Sequence, residues 1–239
     1  MLQFFSYLIN GISLGSVYAI IALGYSMVYG IAKMLNFAHG DIIMVGGYVI
    51  YVIMLRLSGG AIPAVLAALA ACCLLGVTVE KVAYKPLRGA SPLAVLITAI
   101  GVSYCLESLA QIIFSSDPKT VIISDALNNR VGIGSFSISY ATLLTLGVTI
   151  VIMVALTLYI KFSKTGRAMV ATSEDRGAAQ LMGVNVNKII TITFAIGSGL
   201  AAIAGVLLCS MYPNLLPTTG SMPGIKAFTA AVFGGIGSI

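Results

Sequence analysis

The sequence predicts an all-α polytopic membrane protein, with at least seven transmembrane or re-entrant helices in a single domain over residues 1–239, and three observations carry that reading. Only 8% of the 239 residues are charged, where a soluble domain carries roughly 25%. Hydrophobic residues make up 59% and the mean hydropathy is +1.06, so a water-facing surface would lack polar groups to present. The charges also cut the chain into charge-free runs over residues 1–32, 42–55, 57–79, 89–106, 131–160, 189–225 and 227–239. A bilayer imposes such spacing, because a charge at a span centre costs roughly 2.5–3.5 kcal/mol and a crossing helix takes about 20 apolar residues.

The first helix is expected over about residues 7–29. It lacks the Lys/Arg-rich start and small-residue cleavage site of a secretory signal and is read as retained. Gly11 and Gly15, four apart, predict the close approach of another helix. After a break at residues 33–41 comes a second apolar stretch, which Arg56, Gly59, Gly60 and Pro63 end. The third helix covers residues 61–79, and a turn with Glu80, Lys81, Lys85, Pro86 and Arg88 follows. Pro92, a residue favoured in a first turn, opens the fourth helix, which runs to about Phe114. Residues 115–140 read as short extended pieces and turns, at 120–124, 128–129 and 132–135. A fifth helix ends near Ile160. On the sixth, Gly197, Ala201 and Gly205 recur every four residues, the pattern of tight helix contact. Pro213 and Pro217 mark a turn, and Pro223 opens a last helix. Its end, with Gly234, Gly235 and Gly237, has no charged flank and is expected to continue in a longer chain.

The net charge of +6 is scattered along span ends rather than gathered on one helix face with aromatics, which argues against a nucleic-acid partner. Residues 81–88 hold three basic side chains and residues 161–188 hold five, so the positive-inside rule places both stretches in the cytoplasm. Residues 162–187 then form a cytoplasmic loop and residues 115–140 an extracytoplasmic one. The break at 33–41 falls inside and the N-terminus outside.

No phosphate-binding Gly-rich loop, His-Glu-x-x-His pair or Gly-x-Ser-x-Gly elbow occurs. The chain has one histidine, His39, and its four cysteines fall inside apolar runs, so neither a metal site nor a disulfide framework is expected. No catalytic residue and no cofactor bound by this chain are predicted. Within residues 166–188, Ser173 can cap a short helix, Glu174 and Asp175 suit its first turn, and Gly183 supplies a left-handed stop. Such a helix lies between two spans, either docked against a soluble partner or resting on lipid headgroups. Asn36, His39 and Asp41 sit beside an apolar run, either as a pathway or gating element or as a turn in which Asp41 caps the second helix. Glu107 lies deep in the fourth span with Ser103 and Gln111 on its face, which fits a conduit or a hydrogen-bonded network.

The segments GISLGSVYAIIALGYSMVYGIAKMLNFAHGDIIMVGGY, GRAMVATSEDRGAAQLMGVNVNKI and FGGIGSI together resemble the H-type permease subunits of bacterial branched-chain amino acid ABC importers, over essentially the whole chain. The resemblance implies an importer bundle in the inner membrane with a second, homologous permease subunit. It also implies two ATP-binding subunits that use ATP and Mg, and an extracytoplasmic binding protein that delivers leucine, isoleucine or valine. It gives the short cytoplasmic helix an ATPase-coupling role, carried by Glu174, Asp175, Arg176, Ala178, Ala179 and Gly183. Related permeases for urea, short amides, sugars such as ribose, or nucleosides share much of the pattern. A different class, a stand-alone secondary transporter, would use Glu107, Asp41 and His39 as a proton relay, but no inverted repeat is visible.

Overall fold

A computed structural model describes residues 2–57, 60–123, 129–133 and 136–237. In lipid each backbone polar group must be satisfied within its own segment, and the apolar runs accordingly become helices. These are α1 (Leu2–Ala32), α2 (His39–Tyr51, continued by a π turn over Val52–Arg56), α3 (Ala61–Val79, continued to Leu87 by a π and a 3₁₀ turn), α4 (Pro92–Phe114), α5 (Tyr140–Phe162), α6 (Lys164–Glu174), α7 (Arg176–Leu181), α8 (Val186–Met211) and α9 (Ser221–Phe233). Ser91 caps α4, accepting from the Ala94 amide ahead of Pro92. Among the described residues, six helices are long and apolar enough to cross a membrane: Tyr7–Ala32, His39–Arg56, Ala61–Leu87, Pro92–Phe114, Tyr140–Phe162 and Val186–Met211. The chain is a multi-pass membrane protein. The seventh charge-free run contributes to α9, whose 13 residues extend about 20 Å at 1.5 Å per residue, too short to cross alone.

Residues 115–140 supply short strands. β2 (Arg130–Ile133) pairs antiparallel with β3 (Phe136–Ser139), and β1 (Lys119–Thr120) pairs with β4 (Asn214–Leu215) through Lys119↔Leu215 and Thr120↔Asn214. The second pairing puts the α4–α5 and α8–α9 connections at one end of the bundle, here the strand end. Lys81, Lys85, Arg88 and the α6–α7 pair lie at the other, the basic end. The turn residues expected at 58–59, 124–128 and 134–135, and the end of the glycine-rich segment at 238–239, lie outside the described residues.

α8 is the axis of the bundle: 72% of its most apolar window is buried, against 17% for α4 and 11% for α5, which lie at the periphery. Missing side chains let its neighbours approach. A Cβ on Gly205 would stand 2.7 Å from the Ile43 carbonyl oxygen of α2, one on Gly197 3.0 Å from Val28 of α1, and one on Gly76 of α3 1.9 Å from the Ser198 hydroxyl; Ala201 is fully buried. Gly11 and Gly15 differ from expectation, since a Cβ on either would meet nothing within 4 Å. Their spacing suits a close crossing, but the helix that reaches this part of α1 packs on another face, where the buried Ser13 hydroxyl meets Met211 of α8 at 3.7 Å.

Two helices begin inside the bundle rather than at its ends. α1 stops at Ala32, and Lys33 takes a left-handed φ of 52°. Residues 33–38 then climb back, held by the Tyr84 hydroxyl donating to Asn36 Oδ1 at 2.8 Å. α2 starts at His39, which fits a slot between Gly24 of α1 and Gly197 of α8. Gly197 is near the middle of α8, so α2 starts about half-way through and runs towards the strand end. On the opposite side, the chain after β4 drops inward, and α9 starts at Ser221 against Gly40. α9 then follows α1 towards the basic end, with Phe228 against Tyr25 at 5.7 Å between ring centroids and Gly237 against Tyr29. Charge counting placed the whole break at 33–41 on the cytoplasmic side. Only its start lies at an end of the bundle, because glycines on three neighbouring helices open a slot that carries no charge signal.

Candidate functional site

The N-termini of α2 and α9 meet backbone to backbone. A Cβ on Gly220 would lie 1.9 Å from the Gly40 carbonyl oxygen, one on Gly40 2.7 Å from the Gly220 carbonyl oxygen, and one on Gly224 3.0 Å from Gly40 Cα and 3.3 Å from the Tyr25 hydroxyl. Each N-terminus carries a partial positive charge of about half a unit, although the His39, Asp41 and Ile42 amides of α2 and the Ser221 and Gly224 amides of α9 already bond to backbone carbonyls. Irregular backbone at this depth is tolerated only inside protein or beside a cavity.

Acidic groups gather at this junction. Asp41, in the first turn of α2, is 1% exposed, and neither carboxylate oxygen has a hydrogen bond of acceptable geometry. Ser103 and Glu107 of α4 are its polar neighbours, and Glu107 accepts a hydrogen bond from the Ser221 hydroxyl at the start of α9. The expected cap on α2 is absent: Ala38 occupies the N-cap with no side-chain bond, because Asp41 is already three residues into the helix and turns towards α4. His39 is 1% exposed, its Nε2 has no partner, and its ring lies 4.7 Å from that of Tyr25. Of the residues read from the sequence, Asp41, Ser103 and Glu107 come together, and His39, two residues before Asp41, turns the other way onto α1 and α8. Asn36 instead joins Tyr84, and Gln111 is exposed towards the strand end. Sequence reading missed Tyr25, Gly40, Gly220 and Ser221; the polar, glycine-bearing run before Pro223 was the available signal for the last two.

A groove of about 270 Å³ runs between α2 and α4, lined by Met44, Val45, Tyr48, Leu106, Ala110 and Phe114 among others. Met44 and Val45 lie three and four residues beyond Asp41, Leu106 three beyond Ser103, and Ala110 three beyond Glu107. Helical spacing therefore puts the carboxylates on the groove's own face at its inner end. Towards the strand end the groove passes Tyr48 and Phe114, stacked at 4.2 Å, and reaches Val52 and Ile53.

A second candidate lies at the basic end. Residues 162–187 fold as two helices rather than one. Ser173 sits inside α6 with its hydroxyl donating to the Val170 carbonyl, and Glu174 is the last residue of that helix. The N-cap is Asp175, extended at φ −147° and ψ 113°, which accepts from the amides of Gly177 and Ala178 at 2.7 and 3.0 Å. Two bonds from one carboxylate outcompete a serine two residues earlier. Gly183 supplies the left-handed stop, at φ +81°. Ala179 is buried; Glu174, Asp175 and Ala178 are exposed, and Leu181 and Met182 project at 91% and 85% exposure.

Arg176 faces inward and donates to the Ile31 and Ala32 carbonyls at the end of α1. α1 carries no basic residue in its last turn, so this guanidinium supplies both the missing donors and the charge that its C-terminus favours. Burial and the nearby Arg88 lower its pKa from the ordinary guanidinium value. Arg176→Ala should destabilise the protein by about 1–2 kcal/mol, with Arg176→Lys in between because an ammonium lacks the fork. Thermal unfolding in detergent reads this, and an unchanged midpoint in Arg176→Ala would remove the strut.

Six apolar spans, a mid-depth break between two helix N-termini and an exposed helix pair at one end define a membrane transport protein of the broken-helix kind. A family model described as branched-chain amino acid transport system / permease component matches residues 7–239. The chain is 44% identical to the high-affinity branched-chain amino acid transport system permease protein BraD of Pseudomonas aeruginosa, covering 97% of this chain and 79% of that protein. It is 42% and 41% identical to the corresponding LivH proteins of Salmonella typhimurium and Escherichia coli, over 100% of this chain and 81% of each. No solved structure matches it. The chain belongs to this branched-chain amino acid permease family.

Proposed function

We propose that the chain is the permease subunit of an ATP-binding-cassette importer for leucine, isoleucine and valine in the bacterial inner membrane. It works with a second permease subunit, two ATP-binding subunits that hydrolyse Mg-ATP, and an extracytoplasmic binding protein, and performs no catalysis itself. The basic end is cytoplasmic by its charge, which places the Tyr48–Phe114 stack of the α2–α4 groove towards the extracytoplasmic side. The observation that carries the reading is the α6–α7 pair. It presents an exposed apolar tip, Leu181 and Met182, beside the Glu174 and Asp175 carboxylates, and Arg176 ties the same helix to α1. ATP-driven closure of the partner subunits pushes α7, and the strut passes that push to α1, along which α9 packs and against which His39 at the start of α2 rests. Access then alternates as a two-state shift biased by ATP.

Vesicles containing the complete complex should take up leucine only with ATP inside and binding protein outside. Uptake driven by a pH gradient through this chain alone would overturn the reading. In the same vesicles, Leu181→Asp with Met182→Asp should lower uptake about tenfold or more, the size of a lost interface hot spot, with membrane insertion intact. Full uptake in that double variant would show that the tip does not dock.

A further inference from the structure

We propose that the junction of α2 and α9, with Asp41 and Glu107 beside it and the α2–α4 groove leading to it, is a transient binding site for a zwitterionic aliphatic amino acid crossing the membrane. The inference rests on the reading of the chain as an amino acid permease and deepens it.

Three chemistries meet there. Asp41 is buried with neither carboxylate oxygen in a hydrogen bond of good geometry, Ser103 is the hydroxyl beside it, and Glu107 stands next to both. A buried carboxylate with a second, half-buried one beside it calls for a cation. Among the described residues the one ion pair joins Glu80 to Arg88 at the basic end, so no side-chain cation neutralises the junction. Nor do the described residues include a group of three His, Cys, Asp or Glu suited to a metal ion. An ammonium group, with three donors and one positive charge, can donate to Asp41, to Glu107 and to the Ser103 hydroxyl, while Ser221 donates to Glu107. The two helix N-termini, brought together because Gly40 and Gly220 lack side chains, supply the opposite polarity, the arrangement that receives a substrate carboxylate at mid-membrane. The groove supplies the third element. Its volume of about 270 Å³ falls just below the roughly 300–1,000 Å³ of pockets for drug-sized ligands, and with its apolar lining it suits a branched aliphatic side chain. The glycine contact positions the helix ends; Asp41 and Glu107 hold the ammonium; Met44, Val45, Leu106 and Ala110 face the side chain.

The test uses the complete transporter in vesicles, with leucine-loaded binding protein outside and ATP inside, and reads leucine moved per ATP hydrolysed. In Glu107→Gln and Asp41→Asn that ratio should fall about tenfold or more, as expected for a lost charge-assisted contact. The half-saturating leucine concentration, set by the binding protein, should stay in place. Glu107→Asp, which keeps the charge, should recover much of the ratio. An unchanged ratio in Glu107→Gln overturns the site. So does a parallel fall of uptake and hydrolysis, the mark of a structural defect, and so does a loss that Glu107→Asp fails to repair. If the wild-type complex moves no leucine, the permease reading itself falls; a working wild type with unaffected variants removes only the mid-membrane site.

Discussion

Gly220→Ala is expected to destabilise the protein by about 3 kcal/mol and to abolish transport. The new methyl would lie 1.9 Å from the Gly40 carbonyl oxygen and 2.7 Å from its carbonyl carbon. Both atoms are backbone, so no rotamer change can relieve the clash, and α2 and α9 must separate. Overpacking of this kind costs typically 1–3 kcal/mol, and more where nothing yields. Separation would also move Ser221 off Glu107 and pull Gly224 from Tyr25, so the polar junction would open together with the helix contact. Gly11→Ala is the matched control: the same methyl added in a span where nothing lies within 4 Å should leave stability within about 0.5 kcal/mol. Thermal unfolding in detergent and ATP-driven uptake read both variants, and a Gly220→Ala protein with wild-type stability would mean that the two N-termini do not touch.

Glu80→Ala should destabilise by about 3–5 kcal/mol, the cost of breaking a buried ion pair from one side. Glu80 is fully buried. One carboxylate oxygen accepts from Arg88 and the other from the Thr191 hydroxyl at 2.8 Å, while Arg88 also donates to Asn187. These bonds fasten the α3–α4 turn to the first turns of α8. Alanine would strand the Arg88 guanidinium, whose Nε already lacks a partner, in a site only 15% exposed. Arg88→Ala would strand the carboxylate instead. Glu80→Leu combined with Arg88→Met removes both charges and should be markedly milder than either single truncation, because the desolvation cost disappears with them. A double variant as unstable as the sum of the two singles would show that the pair contributes packing rather than charge. The position also bears on function: Arg88 lies near Arg176, so the network helps hold the place where α7 grips α1.

Much of the fold was legible in the charge pattern. The third and fourth helices begin at Ala61 and Pro92 and the fourth ends at Phe114, as their flanking glycines, prolines and charges indicate. Gly183 ends α7 as its position suggests. The α6–α7 pair was only half legible. Ser173 and Asp175 are both good caps, and the choice between them depends on where α6 ends. Gly166, whose Cβ would stand 2.4 Å from the Ile160 carbonyl oxygen, lets the chain fold sharply back on α5 where α6 begins, and α6 then runs through Ser173 to Glu174. The polar cluster was legible in part. Asp41, Ser103 and Glu107 each stood out as polar groups in apolar surroundings, but nothing local joined α2 to α4, and Ser221 looked like part of a turn.

The sequence by itself determined that this chain lives in a bilayer, where its spans lie and which end carries the basic loops. Each of these follows from the cost of placing a single charge in hydrocarbon, a property of one residue and its immediate neighbours. Tertiary structure alone decided that two of the helices start half-way across and meet end to end. That outcome depends on glycines far apart in the chain, Gly24, Gly40, Gly197 and Gly220, whose absent side chains leave room for one another only once four helices have packed.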